Sequence, residues 1–176
     1  MKKRSIIISL ELIAIAMSLI LIIFIDIKIV LSCLFIFLLA LNYYLYKEKI
    51  GQELIVAVLF SLIITSYYIY EYTTANILIG RINIFPLIAW TAGLVFLREI
   101  YEKLKTGHKF LIISLVYIIT LLLVEYLGFH ILSIKLNSDF PSLLRLGIIH
   151  APLGMKLFYI CAGPIYIGIT NYLKVK

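Results

Sequence analysis

The sequence predicts an all-α fold, a polytopic membrane bundle of six transmembrane helices. Two observations predict it. The 176-residue chain is 64% apolar and 14% charged, with a mean hydropathy of +1.11, whereas a soluble domain is roughly half apolar and a quarter charged. The apolar residues also fall into six runs, each close to the roughly 20 residues that cross about 30 Å of hydrocarbon. Most of the chain must therefore face lipid.

Basic residues predict the orientation. Of the 16 Lys and Arg, eleven fall on the face that holds both termini and four on the opposite face, while Lys156 lies inside span six. Because Lys and Arg accumulate in cytoplasmic loops, both termini are expected in the cytoplasm and the protein is expected to be multi-pass in the cell membrane. The net charge of +7 does not indicate nucleic-acid binding, since no soluble basic face exists. The Ile-, Tyr- and Lys-rich composition is typical of an A·T-rich prokaryotic genome.

The spans are expected to form one integral-membrane domain, residues 1–176. The first follows Met1-Lys2-Lys3-Arg4 and is interpreted as a retained helix, because its apolar stretch is longer than the roughly 7–15 residues of the apolar region of a signal peptide. A break at 26–28 ends it, and Lys47-Glu48-Lys49 with Gly51 is expected to turn the chain again. The predicted spans are residues 5–25, 29–46, 53–72, 84–104, 110–127 and 152–173.

Later elements carry local signals. Pro86 fits the first turn of span four, where its missing N–H has no partner. Gly163-Pro164 predicts a kink in span six. Residues 128–150 form a long outer connection between spans five and six, which is expected to contain a short amphipathic or re-entrant segment. Cys33 and Cys161 lie inside spans without metal-ligand spacing and are interpreted as apolar fillers.

Three titratable residues on the outer side are the candidates for catalysis: Glu71, Glu125 and His150. A carboxylate near hydrocarbon costs about 2.5–3.5 kcal/mol at the bilayer centre, so it usually faces the bundle interior and has a reason to be there. We expect the three to act as acid, base or charge stabiliser in a shared outer cavity. The alternative is a hydrated aromatic belt at the interface, with His150 capping span six.

Other polar residues on this side are expected to bind the substrate. Arg81 and Arg145 suit an anionic headgroup or phosphate, although solvated loop positions explain them equally well. Lys156 is expected either to extend towards water or to pair with a carboxylate. The full predicted set is Arg81, His130, Asp139, Arg145 and Lys156. The spacing of these groups matches no zinc or di-iron template, so no metal or other cofactor is expected.

One stretch of the chain resembles a known family. It consists of Tyr70-Glu71-Tyr72-Thr73, then Ile79-Gly80-Arg81, then Phe85-Pro86-Leu87-Ile88-Ala89-Trp90. These residues are similar to the aromatic-Tyr-Thr segment, the glycine-containing turn and the Pro-Leu…Ala-Trp helix start of the membrane carotenoid-biosynthesis family that includes the bacterioruberin-precursor hydratases. The resemblance implies hydration of a terminal isoprenoid double bond, with a carboxylic acid that protonates the alkene in an apolar slot. It assigns that role to Glu71.

Three functions fit the sequence. The first is an enzyme that modifies a membrane lipid or isoprenoid at an outer-leaflet site. The second is a non-catalytic membrane subunit or scaffold, in which small residues of span six (Gly154, Ala162, Gly163 and Gly168) pack against a partner subunit or a second copy. The third is a small transporter, which six spans, a kinked span six and an intramembrane Lys156 would suit.

Overall fold

The computed structural model describes residues 2–137, 140–143 and 147–175, with the side chains of 2–5, 45–50 and 175 left aside. The expected all-helical class is confirmed. The elements are α1 (Lys2–Leu21), α2 (Ile27–Tyr67), β1 (Leu78–Ile79), β2 (Ile82–Asn83), α3 (Ile84–Lys103), α4 (Lys109–Tyr126) and α5 (Leu153–Val175). A π-helical turn, Leu127–Ile131, extends α4.

Four helical segments are long and apolar enough to cross a membrane. They are Ile27–Tyr44, Ile84–Lys103, Lys109–Ile131 and Leu153–Lys174. Two further apolar segments, Ile6–Leu21 and Gly51–Tyr67, are shorter. The six predicted apolar runs are therefore all helical, and four of them reach spanning length.

The turn predicted at Lys47–Gly51 is present, but it does not end the helix. The helical backbone of α2 continues from Ile27 to Tyr67, over 41 residues. Lys and Glu are good helix formers and one glycine costs a helix only about 1 kcal/mol, so helical backbone can extend up to the turn from both sides.

Helix α2 nevertheless folds back on itself. A straight helix of 41 residues would be about 60 Å long. Yet Lys28, in the first turn, donates a hydrogen bond to the Thr74 hydroxyl, and its Nζ lies 5.5 Å from the ring centroid of Tyr72. Thr74 follows the end of α2 so closely that the intervening chain reaches at most about 25 Å. The two ends of α2 must therefore lie at the same end of the bundle.

The bend of α2 lies between residues 42 and 53. Asn42 Nδ2 donates to Glu99 Oε2 at 2.9 Å, and Arg98 Nε donates to Glu53 Oε1 at 2.9 Å. Because Arg98 and Glu99 are adjacent, Asn42 and Glu53 lie at the same level of the bundle. The two limbs of α2 thus run in opposite directions, as the sequence predicts for spans two and three.

The helices end at two chemically distinct levels. We call the level of Tyr68, Tyr70 and Tyr72 the tyrosine end, and the level of Arg98 and its ion pairs the arginine end. Between them lies an apolar cluster of α2–α5 whose best buried members are Ala57, Leu94, Ile113, Ala162, Tyr166 and Ile167. Helix α1 exposes most of its apolar side chains, as expected of a helix that faces lipid.

The long connection after α4 covers the tyrosine end. Its Lys135 carbonyl accepts a hydrogen bond from the Thr73 backbone N–H at 2.9 Å, and its Asn137 N–H donates to the Glu71 carbonyl at 2.7 Å. Ile148 and Ile149 are buried against Tyr70 and Tyr159. The predicted amphipathic or re-entrant segment lies partly outside the described residues.

Candidate functional site: an aromatic cavity at the tyrosine end

Two asparagines fix the backbone that carries the tyrosines. The Asn76 side chain accepts from the Tyr72 N–H and donates to the Tyr72 carbonyl, both at 2.9 Å. Asn83, which also caps α3, donates to the Tyr70 carbonyl at 2.8 Å and to Asn76 Oδ1 at 2.9 Å. Because these amides satisfy the backbone locally, the short segment after α2 has a defined shape without being a helix or a strand.

Hydroxyl contacts join this segment to the helices. The Tyr70 and Tyr159 hydroxyls are 2.7 Å apart, and Trp90 Nε1 donates to the Tyr70 hydroxyl at 3.3 Å. The Tyr117 hydroxyl donates to the carbonyl of Tyr159. The rings of Trp90 and Tyr159 meet nearly at right angles, 84°, with centroids 4.9 Å apart. Side chains of α3 and α5 thus contact Tyr70 directly, and Tyr117 of α4 contacts it through Tyr159.

A cavity of about 140 Å³ lies against these rings. Glu125 from the end of α4 and His150 from the connection before α5 both line it, so the structure brings together two of the three predicted catalytic residues. The other lining residues are Tyr70, Tyr72, Phe85, Pro86, Ala89, Trp90, Val124, Gly128, Phe129, Ile134, Leu136, Ile149 and Tyr159.

Glu125 is the acidic side chain of this cavity, and it is partly buried. Within the described residues, which leave out Asp139 and Arg145, its carboxyl group makes no hydrogen bond or salt bridge. The π-helical turn begins two residues later and carries Gly128 and Phe129 into the same wall. A carboxyl group in this position can exchange a proton with a molecule in the cavity.

His150 is held by its neighbours on both sides. Its ring stacks on Phe129 with centroids 4.6 Å apart and an interplanar angle of 24°, and its carbonyl accepts from the Tyr68 hydroxyl at 3.3 Å. The preceding Ile149 has a φ of 51°, which is strained for a β-branched residue and is typical of functional sites. Partial burial lowers the pKa of His150, and the nearby charges of Lys156 and His130 lower it further. His150 therefore favours the neutral form, which can accept a proton.

The other predicted site residues that the structure describes, Glu71, Arg81, His130 and Lys156, do not line the cavity. Glu71 is exposed, and its backbone, not its carboxylate, bonds the connection. Arg81 is exposed in the β1–β2 turn, and His130 packs its ring on Tyr126 at 4.6 Å. Lys156 is buried and donates to the Pro141 carbonyl, and it pairs with no carboxylate of the described part of the chain. Asp139 and Arg145 lie outside the described residues. Among the residues described, no three His, Cys, Asp or Glu side chains gather as metal ligands.

Tyr159 and Tyr117 are two hydroxyl-bearing residues of the site that were not predicted from the sequence. Both lie in strongly apolar helices, where a tyrosine at helical spacing looks like an ordinary core residue. The sequence signal was the hydroxyl group itself, because a buried Tyr O–H needs a hydrogen-bond partner. That partner is set by tertiary packing and cannot be read from spacing.

A second polar group lies at the arginine end. Arg98 and Glu53 form a buried salt bridge with 4% and 5% of their side chains exposed, and Lys174 Nζ lies 2.5 Å from Glu53 Oε1. Glu102 pairs with both Arg98 and Lys174. From the sequence, Arg98, in the inner part of predicted span four, and Lys174 are two of the eleven basic residues expected on the cytoplasmic face. The two residues do share one end, as predicted, and their ion pairs with Glu53 connect α2, α3 and α5.

Comparison of the chain with known protein families, with curated proteins and with solved structures finds no match.

Proposed function

We propose that the protein is an enzyme that modifies the end of a membrane lipid or isoprenoid in the cavity at the tyrosine end. The observation that carries this proposal is the meeting of Glu125 and His150 in one aromatic cavity. The two residues are 25 positions apart and come from different elements. We assign Glu125 as the group that gives or takes the proton, and neutral His150 as its proton-accepting partner.

The size of the cavity supports a terminal group as substrate. Its 140 Å³ corresponds to about five water molecules at about 30 Å³ each. A headgroup or the end of a chain fits this space, whereas a whole lipid does not. The rest of the substrate would lie along the apolar helix surfaces outside.

The resemblance to the carotenoid-biosynthesis family concerns the same place. Six lining residues belong to the stretch 70–90, namely Tyr70, Tyr72, Phe85, Pro86, Ala89 and Trp90. The position of the acid differs, because Glu71 is exposed and Glu125 faces the cavity. In a hydration, the Glu125 carboxyl would protonate the terminal alkene carbon and water would add to the resulting cation. Neutral His150 would accept the proton released and pass it back to the Glu125 carboxylate.

We also propose six membrane spans in a prokaryotic cell membrane, with both termini in the cytoplasm. The four long helices account for four spans, and Ile6–Leu21 and Gly51–Tyr67 would be the other two. Basic residues at the arginine end support the cytoplasmic side there. The cavity then faces the outer leaflet.

The proposal is tested by lipid and pigment analysis of strains that lack the chain or carry one substitution. We expect Glu125→Gln to accumulate the same precursor as the deletion, because the amide cannot supply the proton. Glu71→Gln is the matched control, a carboxyl group at the same end that is outside the cavity, and it should leave the lipid profile unchanged. The enzyme proposal is refuted if the deletion alters no lipid or pigment.

A non-catalytic subunit is the second candidate, because the charges at the arginine end are paired as in a structural core. The predicted small-residue face of α5 is divided, however: Ala162 and Gly163 are buried, and Gly154 and Gly168 are exposed. Transport receives less support. A polar path between the two ends would have to cross the described apolar cluster. This cluster extends from Tyr117, next to the cavity, to Tyr101, whose hydroxyl accepts from Asn171 at the arginine end.

A further inference from the structure

The walls of the cavity are mainly aromatic. Six rings line it, those of Tyr70, Tyr72, Phe85, Trp90, Phe129 and Tyr159. Several neighbouring rings are steeply inclined to each other: Trp90 and Tyr159 at 84°, Tyr72 and Phe85 at 66°. Because neighbouring rings at such angles cannot all face the same way, we expect a group in the cavity to meet aromatic surface on more than one side.

The electrostatics of the lining favour a positive guest. Glu125 supplies a carboxyl group, whereas the described lining residues, which leave out Arg145, include no Lys or Arg, and their one basic residue, His150, favours the neutral form. Lys28 lies near the Tyr72 ring but is paired with Asp26 at 3.1 Å, and Lys135, near Phe129, is exposed to solvent. Aromatic faces combined with a carboxylate are the usual means by which proteins bind cations whose charge is covered by carbon groups.

We propose that the cavity binds a carbon-substituted cation of the size of a trimethylammonium group, held by the aromatic walls and by the carboxylate of Glu125. Such a group has about five non-hydrogen atoms, which matches a space for about five waters. A cation with many N–H groups would be disfavoured, because the walls offer few acceptors in exchange for its hydration.

The inference rests on the proposed function, because it names the substrate class of the same cavity. A cation of this kind has two sources. One source is the quaternary ammonium headgroup of a lipid. The other is the trialkyl carbocation that forms when the carboxyl group protonates a branched isoprenoid end. A tertiary ammonium compound with a prenyl chain has the charge and shape of the second.

Trp90 provides the readout, because it is the single tryptophan of the chain and lies in the cavity wall. The purified full-length protein in detergent is titrated with choline, with protonated dimethylprenylamine, and with the neutral isostere 3,3-dimethylbutan-1-ol. We expect one of the cations to change Trp90 fluorescence at a concentration lower by about tenfold or more than the neutral alcohol does. Tighter binding of choline identifies a headgroup, and tighter binding of the prenylamine identifies the reaction intermediate.

Glu125→Gln should remove most of the preference for the cation, whereas Glu71→Gln should retain it. Thermal unfolding of each variant checks that it is folded. Equal binding of the cations and the alcohol to the native protein overturns the inference, as does full cation preference in folded Glu125→Gln. If cations do not bind but Glu125→Gln still alters cellular lipids, only this inference fails. If cations bind and no lipid depends on the chain, the proposed function fails.

Discussion

At the scale of single residues, Gly163 shows how close packing positions the site. A Cβ atom at this position would lie 2.5 Å from Cγ of Tyr117. The Tyr117 ring cannot move away without a loss, because its hydroxyl donates a hydrogen bond to the Tyr159 carbonyl. Gly163 therefore lets α4 and α5 approach closely enough to hold Tyr159 against Tyr70.

Gly163→Ala is expected to destabilise the fold by about 1–3 kcal/mol, the usual cost of overpacking. Gly168→Ala is the matched control in the same helix, since a Cβ there meets no atom within 4 Å. It should be neutral or slightly stabilising, because alanine favours a helix. Thermal unfolding in detergent compares the two variants. Equal melting temperatures would show that α4 and α5 are not in this close contact.

The site residues differ in how far the sequence could identify them. Glu125 and His150 were identifiable because a titratable group next to an apolar span needs a reason to be there. The same argument selected Glu71, whose side chain points to solvent. In an irregular segment, a shift by one residue changes which side chains face inward. Here the side-chain amides of Asn76 and Asn83 hold the backbone of Tyr72 and Tyr70 in place. No periodic pattern records it.

At the scale of elements, the arginine end joins the limb of α2 after the bend to α3 and α5. The Glu53 carboxylate forms salt bridges with Arg98 and Lys174, and its backbone carbonyl accepts from the Tyr166 hydroxyl at 3.1 Å. The apolar runs of these helices were predictable from composition, since they follow the thickness of the bilayer. The ion pairs were not, because a charge at a helix end looks the same whether it is solvated or paired.

Glu53→Gln is expected to cost up to about 3–5 kcal/mol, because it removes the buried counter-charge of Arg98 and leaves that residue only the partly exposed Glu102. Glu99→Gln makes the same chemical change at the same end. It should cost about 1 kcal/mol or less, because the charged partner of Glu99, Lys103, is 59% exposed and a glutamine oxygen can still accept from Asn42. Expression level and thermal unfolding measure both variants. A Glu53→Gln protein as stable as Glu99→Gln would contradict the buried pair.

At the scale of the whole molecule, the two ends have different chemistry. One end holds the buried ion pairs of Arg98, and the other holds hydroxyls, amides, the cavity and the Lys28–Asp26 pair. The sequence predicted a narrower separation, with most basic residues on one face and the candidate acidic and histidine residues on the other. It did not predict that the bend of α2 would remain helical, because helix-forming residues can also occupy a sharp bend.

The orientation of the molecule is testable with single cysteines at exposed positions 106 and 135, in a background of Cys33→Ser and Cys161→Ser. An impermeant maleimide should label Lys135→Cys in intact cells. It should label Thr106→Cys only after the membrane is permeabilised, because the basic loops are expected in the cytoplasm. The reverse pattern would contradict the proposed topology and place the cavity on the cytoplasmic side.

The short second limb of α2 has a consequence for the surrounding lipid. Gly51–Tyr67 is about 25 Å long, against a hydrocarbon thickness of about 30 Å. A bilayer becomes thinner next to such a segment at a modest cost per ångström. The limb ends at Tyr67, just before Tyr70 and Tyr72 enter the cavity wall. Hydrophobic mismatch would then bring headgroups and water down to the cavity, so that a polar lipid terminus would meet Glu125 while its chains stay in the membrane.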